Sequence, residues 1–115
     1  MANTFKVVTK SGVTSEDTIY TVASSTTTVI LGLVLGNTTT SQTTATVTLS
    51  SNTGSRAGDN DENNQDVELI TNAPIPAGSS LEMLAGNKVV METTDLLKVT
   101  GSGATDVCLS IMEIT

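Results

Sequence analysis

Runs of threonine punctuate the chain: Thr26-Thr27-Thr28, Thr38-Thr39-Thr40 and Thr43-Thr44-Ala45-Thr46-Val47-Thr48. Threonine supplies about one residue in five. A β-branched side chain with a hydroxyl suits a half-buried pleated surface, so the chain is expected to be all-β. Residues 44–50 alternate most clearly. Ala45, Val47 and Leu49 are predicted to face a core, and Thr44, Thr46 and Thr48 to face outward.

The same period of two recurs at residues 5–10, 18–22, 28–35, 66–71, 80–84, 88–92, 96–100 and 106–114. Eight or nine short strands separated by Gly, Pro, Asn and Ser predict an antiparallel sandwich or barrel. No internal repeat and no helical spacing interrupts the pattern. Ser11-Gly12 is predicted to close the first strand, and Ala85-Gly86-Asn87 a hairpin. Residues 73–81, with Pro74 and Pro76, read as a connector in which Ala73 and Ile75 are extended and Gly78 supplies the turn.

Two strands are apolar on both faces. In residues 28–35, Val29, Leu31, Leu33 and Leu35 are expected on one side and Ile30, Gly32 and Val34 on the other. In the last strand Val107, Leu109 and Ile111 alternate with Cys108, Met112 and Ile114. Either a loop covers the second face of a central strand, or another subunit does. With an N-terminal arm this gives a candidate interface of Phe5, Val7, Ile30, Val34, Cys108, Met112 and Ile114.

At 115 residues the chain is expected to form a single domain over 1–115, with 1–10 an N-terminal arm or edge strand. Phe5 and Tyr20 are its only aromatic residues, so the core must be aliphatic. Five basic against twelve acidic residues give a net charge of −7. Lys6 and Lys10 alone make no phosphate-binding patch, so no nucleic-acid partner is expected. The longest apolar stretch, residues 29–35, is far below the roughly 18 residues that span a bilayer, and no membrane partner is expected. Residues 1–6 lack a signal-peptide core, which suggests synthesis and retention in a cytoplasm. The Asn37-Thr38-Thr39 sequon then carries no glycan.

Little here is equipped for chemistry. There is no His, so serine has no usual base, and Cys108, the sole cysteine, is expected to be a buried, inert thiol. The scattered acids Glu16, Asp17, Glu62, Glu68, Glu82, Glu92 and Asp95 lack an aromatic sugar platform and form no glycosidase pair. Gly32 and Gly36 make no phosphate loop. Asp59, Asp61 and Asn63 match the opening of an EF-hand loop and are the weak Ca²⁺ candidate. Asn64 then stands at the turn-glycine position and Ile70 at that of the bidentate Glu, so a solvated loop is the preferred reading. No cofactor and no catalysis are expected.

Taken together, the segments Tyr20-Thr21-Val22-Ala23, Thr28-Val29-Ile30-Leu31-Gly32-Leu33-Val34-Leu35-Gly36-Asn37-Thr38 and Ala45-Thr46-Val47-Thr48-Leu49 have a familiar outline. So do Pro74-Ile75-Pro76-Ala77-Gly78-Ser79-Ser80-Leu81, Gly86-Asn87-Lys88-Val89-Val90-Met91, Asp95-Leu96-Leu97-Lys98-Val99 and residues 106–114. From about Tyr20 onward the chain resembles small virion structural proteins of tailed bacteriophages, particularly marine and cyanobacterial ones. The resemblance implies a β-sandwich, jelly-roll or Ig-like, of about eight strands. It implies a non-enzymatic capsid decoration (cement) protein, made in the host cytoplasm and placed on the capsid surface. Its partners would be the major capsid protein or other virion proteins, and copies of itself, with a trimer favoured. A tail, neck or fibre component is the alternative within the virion. A carbohydrate-binding or adhesion module is the alternative outside it, disfavoured by the shortage of aromatics.

Overall fold

The computed structural model describes residues 2–52, 65–83 and 88–115. The Ca²⁺ candidates Asp59, Asp61 and Asn63, and the Ala85-Gly86-Asn87 hairpin, lie outside the described residues.

Within them the chain runs β1 (Asn3–Val13), β2 (Glu16–Thr21), β3 (Thr27–Asn37), β4 (Thr43–Ser51), β5 (Gln65–Ile75), β6 (Ser80–Met83), β7 (Val89–Met91), β8 (Leu96–Gly101) and β9 (Thr105–Ile114). Every pairing is antiparallel. One sheet, A, has the order β1-β9-β3-β6, with β7 also on β3; the other, B, has β2-β8-β4-β5. Taking β6 and β7 as one interrupted strand leaves eight, and the chain changes sheet at nearly every connection. This is a jelly roll. Of the two sandwich types expected, the Ig-like one would pair the first two strands in one sheet, whereas here β1 and β2 lie in different sheets.

The sheets enclose an aliphatic core. Sheet A contributes Ile30, Leu33, Leu35, Val107, Leu109 and Ile111, and sheet B Ala45, Val47, Leu97 and Val99. Val13, Val22, Ile75 and Met91 are buried with them. Neither aromatic residue is fully buried: Phe5 is exposed and Tyr20 half-buried.

Register refines the sequence reading in four places. β3 carries a bulge between Ile30 and Gly32, with Leu31 the extra residue. The inward set therefore changes phase, from Thr28 and Ile30 to Leu33, Leu35 and Asn37. In β4, Val47 opposite Val99 and Leu49 opposite Leu97 share the inward side, while Thr46 and Thr48 pair on the other side with Thr100 and Lys98. Thr48 is nonetheless buried, so facing outward does not here mean facing water. β1 does not end at Ser11-Gly12: Gly12, at φ +67, makes a bulge before Val13, and its N–H donates to the Asp106 carboxylate at 3.0 Å. β5 continues through the expected connector to Ile75. Pro74 opposes Thr44 on this edge strand, where a missing N–H interrupts no ladder. Gly78, at φ +69, makes the turn that follows.

Polar side chains hold the loops. The Asn37 amide donates to the carbonyls of Ser41 (2.8 Å), Ile75 (2.9 Å) and Pro76 (3.2 Å). Its own carbonyl accepts from the N–H and hydroxyl of Thr39. Asn37 is 3% exposed, so the sequon asparagine is a structural pin closed to modification in the folded chain. Asp95 accepts from the N–H groups of Asn52 and Glu92. Thr26 and Thr93 bond reciprocally, each using the Thr93 hydroxyl. Gly101 must be glycine, because a Cβ there would lie 2.6 Å from the Val13 carbonyl oxygen. The chain ends meet: Ala2 and Thr115 exchange two backbone hydrogen bonds, at 3.1 and 3.0 Å.

Candidate interaction face

The outward side of sheet A collects most of the large exposed apolar residues among the described residues. In an antiparallel pair, residues directly opposite share a side, so the registers define rows across the strands. Phe5 opposes Met112, Met112 opposes Val29, and Val29 opposes Val90. That is an unbroken apolar ridge over β1, β9, β3 and β7. Phe5 is 72% and Val90 58% exposed. The next row holds Val7, Ser110 and Gly32, and the one after it Thr9, Cys108, Val34 and Glu82. On the other side of the ridge lie Asn3, Ile114 and Thr27. Space is open above Gly32: a Cβ there would meet nothing within 4 Å. Ridge and trough thus lie side by side.

Of the seven candidate interface residues, six share this side: Phe5, Val7, Val34, Cys108, Met112 and Ile114. Ile30 does not. It is 0% exposed and packs in the core, because the bulge at Leu31 breaks the alternation that had placed it with Val34. Cys108 is also corrected: it is exposed, not buried, since β9 turns it away from Val107 and Leu109. Val29 and Val90 belong to the face but escaped the sequence reading. Val29 falls with Leu33 in an alternation that takes no account of the bulge, and residues 88–92 read as a strand whose two sides the sequence leaves unassigned.

Charge is kept off the middle of this face. Among its paired positions the charged residues are Glu82 and Asp106, both toward one end. Lys6 and Glu113 have the opposite phase and bond each other at 2.8 Å. The Tyr20 hydroxyl of sheet B reaches the same carboxylate, donating to Oε2 at 2.5 Å, and lies 2.8 Å from the Thr28 hydroxyl. Lys6, and then the Tyr20 hydrogen bond, hold the Glu113 carboxyl below its ordinary value. Burial, reinforced by Glu113, pushes the Tyr20 phenol up to about 12. This cluster is a latch joining both sheets to β1. Lys10 lies 3.6 Å from Asp17 in a second, exposed pair.

Chemistry finds little else among the described residues. No group of three or more His, Cys, Asp or Glu could hold a metal there. An open groove of about 470 Å³ runs beside the β1 bulge, lined by Thr9, Lys10, Ser11, Asp106 and Val107. Its two charged groups have partners beside it, Asp106 accepting from the Gly12 N–H and Lys10 lying 3.6 Å from Asp17. No helix among the described residues is long and apolar enough to cross a membrane.

The sequence matches no family model and no curated protein. Three solved structures resemble the fold. One describes Bacillus endospore appendages, a family of disulfide-linked pili; it is 16% identical, covers 96% of this chain and 85% of that chain, and has a TM-score of 0.45. Another is the T13 particle of infectious bursal disease virus, at 10% identity and a TM-score of 0.39, covering 96% of this chain and 35% of that one. The Gx strain of the same virus gives 9% identity and a TM-score of 0.36, over 96% and 37%. At these identities and scores, none of the three says what this chain does.

Proposed function

We propose that this chain is a non-catalytic structural subunit of a virion, a decoration protein that docks on assembled capsid and braces neighbouring capsid subunits. The observation that carries the reading is the exposed, nearly uncharged apolar face of sheet A, the kind of surface that marks an assembly contact rather than a free exterior. Support also comes from the sequence resemblance to small phage virion proteins. The net charge of −7 suits a protein that must stay clear of the nucleic acid being packaged. The mechanism is mechanical. Many copies each add a modest contact, and the sum resists expansion of the shell.

Quantitative mass spectrometry of purified virions tests the proposal. Decoration predicts a copy number comparable with that of the major capsid protein. A handful of copies per particle would assign the chain to the tail, neck or fibre instead, and absence from the particle would end the virion reading. Deleting residues 2–8, which removes Phe5 and Val7, is expected to lower capsid occupancy at least tenfold. Unchanged occupancy would mean that this end of the face plays no part in assembly, whether against capsid or between the copies that dock on it.

A further inference from the structure

We propose that the outer face of sheet A pairs with the same face of a second copy, forming a two-fold dimer; this rests on the reading of the chain as an assembly subunit. The shape of the face selects the occupant. The ridge Phe5-Met112-Val29-Val90 is one row from the trough at Ser110 and Gly32, a step of about 7 Å along the strands. A two-fold axis parallel to the rows, midway between them, lays the ridge of each copy over the trough of the other. No second kind of surface is required. A closed trimer needs two different complementary patches per subunit, so this face by itself favours pairs over the trimer expected from sequence.

Charge and area agree with that occupant. The chain's net charge is −7, yet the paired positions of this face carry charge only at Glu82 and Asp106, toward one end, which calls for no basic partner and lets a like-charged copy approach. The operation sets Glu82 of each copy above the row of Asn3, Ile114 and Thr27, away from the other Glu82. Three strands roughly ten residues long, with the short β6 and β7 beside them, spaced about 4.8 Å, give a projected plate on the order of 600 Å². The textured accessible area exceeds that projection and so approaches the roughly 800 Å² per partner of a standard interface. The two Cys108 side chains stand one and a half rows from the axis on opposite sides, about 20 Å apart. Each thiol is covered by the other copy, and no bond can form between them.

Light scattering and sedimentation of the intact chain test the pairing at physiological salt. The expected mass is twice 11.8 kDa, falling to one copy on dilution. Maleimide labelling of Cys108 should slow at least tenfold in the dimer. Gly32→Val, whose Cβ would enter open space in the trough, and Val90→Glu, on the ridge, should each give a monomer with an unchanged circular dichroism melt. Val67→Glu, at an exposed apolar residue of sheet B, should leave the dimer intact. A monomer at 100-fold above the labelling concentration overturns the proposal, as does a dimer that survives both sheet A variants. So does a dimer that locks through Cys108 under mild oxidation. A monomer that still decorates particles would overturn the pairing alone, whereas a dimer absent from virions would overturn only the virion reading.

Discussion

Tyr20, Glu113, Lys6 and Thr28 show how a few polar groups can tie an aliphatic sandwich together. The carboxylate accepts from a lysine on β1 and a phenol on β2, while belonging itself to β9. Because the folded Glu113 titrates below the ordinary 4.5, it stabilises the fold above that pH, and its contribution drains away as the pH falls. Tyr20 works in the other direction. Its phenol is raised from 10.0 to about 12, so its contribution is complete below pH 10 and is lost as the pH rises toward the folded value. Thermal melts across pH should show a plateau with both limbs. Glu113→Gln should flatten the acid limb, and Tyr20→Phe the alkaline one. Tyr20→Phe should also cost about 1.5–3 kcal/mol at neutral pH, the value of a hydrogen bond to a charged group. Parallel pH curves for wild type and both variants would show that the latch carries no weight.

Strands differ in how firmly they are held. β1 bonds to β9 alone and is exposed along nearly its whole length, with Val13 at its end its buried anchor and Val8 half-buried, whereas β3 is paired on both sides and buries five residues. Amides of β1 bonded to β9 should therefore exchange with solvent at least tenfold faster than those of Ile30, Leu33 and Leu35. Equal protection would mean that the sheet opens only as a unit. β4 and β3 mark what the sequence could and could not disclose. Alternation in β4 gave its sides correctly, because its pairing with β8 is regular. It failed in β3, where one unpaired residue, Leu31, changes the phase and no local signal announces it. That single slip sent Ile30 to the surface and hid Val29. Cys108 was misjudged for a related reason. Apolar neighbours in sequence say that a strand is central, but not that both of its sides are covered. Pro74 suggested a loop, because edge position is a property of the sheet and not of the segment.

At the scale of the whole molecule, topology governs time. The pairs β1·β9 and β3·β9 join segments far apart in sequence, which places the chain among slow folders. Refolding from denaturant should take milliseconds to seconds; a phase completed in microseconds would contradict this topology. The joined ends, Ala2 bonded to Thr115, have a further consequence during synthesis. At roughly 5–20 residues per second, β1 leaves the ribosome on the order of ten seconds before the strand it must pair with. For that interval it is an unpartnered strand bearing Phe5 and Val7, beside identical strands on the same message. Lys6 and Lys10 punctuate it. In the finished fold they hold Glu113 and Asp17, but on the polysome they are the charges that keep nascent neighbours from pairing with one another.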